Sequence, residues 1–69
     1  MKSKLLDDCY LVRDLRVAAY EATDQTVCDL YIRAAVLEQK VYNNLKKARA
    51  SERTTRYCLE LMAAKDTIH

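Results

Sequence analysis

Glycine and proline are both missing from this chain, as are tryptophan and phenylalanine. Without Gly it lacks the residue that enters left-handed backbone at no steric cost, and without Pro the strongest interruption of a helix. A β-rich fold of this size draws on both residues in its turns. Their absence predicts an all-α protein. It also excludes the Gly-rich loops that cradle nucleotide phosphates. An excess of one charge is lacking too: 12 cations stand against 10 anions, a net +2, so no global field singles out a partner. No run approaches the roughly 18 apolar residues of a membrane span, and no apolar segment follows Lys2 and Lys4 as it would in a secretory signal. The expected setting is therefore cytoplasmic, with no membrane partner.

Histidine occurs once, as His69, and the three cysteines Cys9, Cys28 and Cys58 are far apart in sequence. A structural zinc site needs four converging N or S ligands, which these residues could supply only by an improbable wrapping of the chain. The Glu-x-x-His pair that seats metals in helical bundles is also missing, since Glu38 is followed by Gln39, Lys40 and Val41. No cofactor or metal is expected. Each cysteine has apolar neighbours at helical spacing, which predicts burial as a small hydrophobe. A terminal His is a poor general base. Ser3 and Ser51 lie far in sequence from it and suit helix caps. We therefore expect no catalytic residues and no enzyme activity.

What the chain does contain is helical periodicity. The 69 residues are expected to form one domain, 1–69. At this size only about 60% of the unfolded surface is buried, and a staple or a partner is commonly needed. The longest pattern runs from Asp24 to Ala48, with Val27, Leu30, Ala34, Leu37, Val41, Leu45 and Ala48 on one stripe and Asp29, Arg33, Lys40, Asn43 and Lys47 opposite. The rest of the chain should pack against it. Before it, Leu5, Cys9, Val12, Leu15, Ala19 and Ala22 mark a first helix over about 4–22, with Ser3 as N-cap. Thr23 or Asp24 can cap the second, over about 25–49. A connection this short predicts an antiparallel hairpin.

Beyond Ala48 the apolar stripe lapses without a breaker. Ser51 can cap a third helix over about 52–67, whose stripe reads Tyr57, Leu61, Ala64 and Ile68, with Cys58, Leu59 and Met62 beside it. A turn near residue 50 gives a small three-helix bundle. Without one, the second helix would continue for about 60 Å. The turn is favoured, because a lone domain must cover both stripes. Two copies are expected to pair as a dimeric helical bundle.

Two features stand out as candidates for binding. Lys46, Lys47, Arg49, Arg53 and Arg56 put five cations into eleven residues, opposed only by Glu52. They either form a solvated face or meet an anionic partner. Tyr31 and Tyr42, eleven residues apart, share a face flanking the second helix's stripe. Tyr and Arg are residue types that dominate binding hot spots. The favoured reading is a small interaction protein (an adaptor, inhibitor or regulator) that binds a protein partner through these residues. The alternative is nucleic-acid binding by the basic cluster, which would be strongly salt-dependent.

Overall fold

The computed structural model describes residues 4–64. These form helices α1 (Lys4–Glu21), α2 (Thr26–Lys47) and α3 (Glu52–Ala63), with no strand among the described residues. The expected hairpin plus third helix is what the chain builds. The Ser3 cap, and the stretch of the third helix expected over residues 65–67 with Ile68 beyond it, lie outside the described residues.

Both connections are made without glycine. At the first, the Asp24 carboxylate accepts the Thr26 backbone N–H at 3.0 Å and the Thr26 hydroxyl, turning the chain into α2. Those bonds, the hydroxyl's first, hold the Asp24 carboxyl below the usual carboxylate range. At the second, α2 ends in a Schellman motif: Ala50 N–H reaches the Leu45 carbonyl at 3.0 Å and Arg49 N–H the Lys46 carbonyl at 3.1 Å. The motif requires a left-handed residue, and Arg49 supplies it at φ 53°. Ala50 packs on the core cluster that contains Leu45, which is the apolar contact that accompanies this motif. Ser51 then turns to extended backbone, and its Oγ accepts Thr54 N–H at 3.2 Å as the N-cap of α3. Stop and start signals thus sit back to back over Ala48–Ser51, and the single long helix does not form.

The packing order differs from the expectation drawn from pattern length. Helix α1, not α2, is the element on which the other two rest: α1 packs on both, while α2 and α3 scarcely meet. Position along α1 shows how. Leu5 and Leu6 line one groove with Arg53 and Thr54, Cys9 and Cys58 share the buried core, and the Arg16 guanidinium donates to the Met62 carbonyl at 3.0 Å. Pairs that rise together in number make α3 parallel to α1. At 12 residues α3 is about 18 Å long against about 27 Å for the 18 of α1. It covers the first two-thirds of α1, and among the described residues no third helix lies over the other end of the hairpin.

The core gathers under α3: Cys9, Val12, Ala34, Val41, Leu45, Cys58 and Met62, flanked by Leu5, Leu15, Leu37, Ala50, Leu59 and Leu61. Three expectations change here. The inward face of α3 is centred on Cys58 and Met62, and Tyr57 is turned half out of the protein. Cys28 is exposed and not buried; it lies about 120° around α2 from Ala34 at the hairpin seam. Glu38, whose charge and alternation with basic residues read as a solvated position, is half-buried and pairs with Arg16 at 2.5 Å. Arg16 therefore links α1 to both other helices, through a side chain on α2 and a backbone carbonyl on α3.

Candidate interaction surfaces

The bend at Ala48–Ser51 decides the shape of the basic cluster. Lys46 and Lys47 occupy the last turn of α2, Arg49 the bend, and Arg53 and Arg56 the first turns of α3. All five are exposed and crowd one corner. Part of that cluster serves local structure. Lys46 and Lys47 complement the negative end of the α2 dipole. Arg56 pairs with Glu52 at 3.3 Å across one turn, a contact in open water worth little. Arg53 lies on the rim of a shallow apolar groove of about 410 Å³ between α3 and the start of α1, lined by Leu5, Leu6, Thr54, Tyr57 and Cys58.

The two tyrosines on α2 part company. Tyr42 is half-buried, whereas Tyr31 is 47% exposed on the part of the hairpin that α3 does not cover. Fifteen residues separate Tyr31 from Lys46, about 22 Å of helix. The basic corner and Tyr31 are therefore separate surfaces.

Tyr31 has apolar neighbours that periodicity had passed over. Ile32 is 61% and Val36 67% exposed, and Ala35 and Cys28 are exposed as well. Cys28, Ile32 and Val36 follow one another at steps of four, which makes them a second apolar stripe on α2, nearly opposite the first. Their spacing was legible in the sequence. It was masked there because Asp29, Arg33, Lys40 and Asn43 share that side and mark it as polar.

At the α1–α3 seam lies a different kind of site. Cys9 and Cys58 are 0% and 1% exposed and belong to one buried cluster. Burial first, then the neighbouring Cys58 and Asp8, push the Cys9 thiol up from 9.0 to about 12. Beside it, one carboxylate oxygen of Asp8 (Oδ2) is buried with no hydrogen-bond partner. Further out, Tyr10 lies beside Tyr57 and raises its pKa. No group of three or more His, Cys, Asp or Glu side chains able to hold a metal ion occurs among the described residues, and no helix there is long and apolar enough to cross a membrane. No family model, curated protein or solved structure matches the chain.

Proposed function

We propose that this protein is a small interaction module, an adaptor, inhibitor or regulator that works by covering part of a protein partner's surface. One observation carries the reading: Ile32 and Val36 stand 61% and 67% exposed, one helical turn apart, on a helix face that no other described residue covers. Fully burying an aliphatic side chain of this kind contributes about 1.5–3 kcal/mol. Tyr31, at the edge of the same patch, adds a large amphipathic ring of the kind favoured at interfaces. Helices that present i, i+4 anchors dock into apolar grooves or onto one another.

Self-association is the simplest form of such docking. In an antiparallel pairing of two α2 helices centred between Ile32 and Val36, Ile32 meets Val36 of the partner subunit twice over by symmetry. Asp29 on the flank then comes opposite Lys40 of the partner subunit, the kind of charge pair that sets orientation in paired helices. Nucleic-acid binding through the basic corner has less support, because those five cations are partly engaged by Glu52 and by the α2 terminus.

Sedimentation at micromolar concentration tests this directly. A species heavier than the 8.0 kDa monomer, reduced to the monomer by joint Ile32→Ser and Val36→Ser substitution, supports pairing through α2. An 8.0 kDa species alone removes it. Titration of duplex and single-stranded nucleic acid at two salt concentrations tests the alternative. Steeply salt-dependent binding, abolished by changing Arg49, Arg53 and Arg56 to Glu, would replace the protein-partner reading with a nucleic-acid one.

A further inference from the structure

We propose that Cys9 and Cys58 form a redox modification site, a dithiol that a low-molecular-weight disulfide converts into a covalent link between α1 and α3. Three observations support it. The two side chains are fully buried in one core cluster at the seam of two packed helices, and Cys58 lies near enough to raise the Cys9 pKa. They come from helices 49 residues apart in sequence, so the contact is tertiary and not an accident of one helix face. Finally, α3 is the shortest helix and its backbone packs chiefly on α1, the helix that carries Cys9.

The closed molecule protects the pair. Thiolate, not thiol, attacks a disulfide, and both sulfurs are out of water. Lifting α3 from α1 exposes Cys9 and Cys58 together. Either thiol, after losing its proton to solvent, attacks one sulfur of the small disulfide; a protein–small-molecule mixed disulfide forms and one small thiolate leaves. The second cysteine's thiolate then attacks the protein sulfur of that mixed disulfide, forming the Cys9–Cys58 bond and expelling the second small thiolate. Two protein thiols are oxidised and one small disulfide is reduced to two thiols. Cys28 provides an internal contrast, being exposed and on the far side of α2. It takes up a mixed disulfide at once and has no neighbouring thiol to resolve it.

The link would fasten the shortest helix to α1. Closing so long a loop restricts the open and unfolded chain most, so α3, the bend and the basic corner become a fixed part of the molecule.

The experiment incubates the full chain with oxidised glutathione near pH 8, quenches in acid and maps the products by proteolysis and mass spectrometry. The expected product carries a Cys9–Cys58 linkage, with two hydrogens lost, and glutathione on Cys28 only. Its formation is slower than Cys28 modification and is accelerated by urea below the unfolding transition. The exposed-site variant Cys28→Ser, treated in the same way, should melt higher by roughly 10 °C or more, reversibly with dithiothreitol. Separate glutathione adducts on Cys9 and Cys58 would overturn the proposal. So would their remaining free thiols in urea while Cys28 is fully modified.

Discussion

The two ends of the α1–α2 hairpin are built from the same two helices and finish differently. At the end under α3, Cys9, Val12, Val41, Leu45, Cys58 and Met62 are between 0% and 3% exposed. At the far end burial falls to Ala19, while Tyr20, Tyr31 and Ile32 stand 47–61% exposed. Small side chains let the two backbones approach without a third layer, so the far end can close without filling much volume. Helix α3 packs on α1 and does not cover the outer face of α2 that carries Ile32 and Val36. Among the described residues, burial is concentrated at one end of the hairpin, and apolar surface stays exposed at the other.

The sharpest way to break that comparison is to truncate one side chain at each end. Met62→Ala removes a fully buried side chain and is expected to cost about 2–5 kcal/mol, enough to unfold much of so small a domain. Ile32→Ala should leave the monomer's stability within about 0.5 kcal/mol. Equal losses in thermal or urea melts would show that the far end is covered as well.

A smaller effect is expected at the bend that places α3. Ser51→Ala deletes the N-cap acceptor of Thr54 N–H and should cost about 1 kcal/mol. Arg49→Gly, which relieves a left-handed non-glycine backbone at φ 53°, should move stability up by as much as about 1 kcal/mol. If both substitutions lower the melting temperature, the bend is not the one described.

The smallest effect at neutral pH, growing only in alkali, comes from the buried thiol. Folding raises the Cys9 pKa from 9.0 to about 12, so the protonated form is favoured in the folded state. Its contribution is complete below pH 9.0 and is lost progressively as pH rises from there towards about 12. Urea midpoints measured from pH 7 upward should therefore begin to fall near pH 9. They should fall less steeply in Cys9→Val, provided that variant folds. A flat profile would mean that the sulfur is not desolvated.

Much of the architecture was legible from residue order. The helix-forming composition, the two stripes and the Ser51 cap gave three helices close to where they lie, although the N-cap of α2 is Gln25 and not Thr23 or Asp24. The candidate site was legible only in part. The five cations were visible as a cluster in sequence, but whether they made a stripe or a corner depended on Arg49 entering left-handed backbone, which no propensity of Arg predicts. Cys28 and Cys58 sit in similar apolar surroundings along the chain, yet one is exposed and the other buried.

What the sequence by itself determined is local: periodicity, capping and the absence of breakers act within a few residues, and they specify three amphipathic helices with short connections. Only the tertiary structure decided that α1 and not α2 is the shared element, that Arg16 pairs with Glu38, that Cys9 meets Cys58, and that Ile32 and Val36 stay bare. Each of these depends on which helix faces fit together and how far a short third helix extends. Packing settles that through volume and reach, which one-dimensional spacing does not contain.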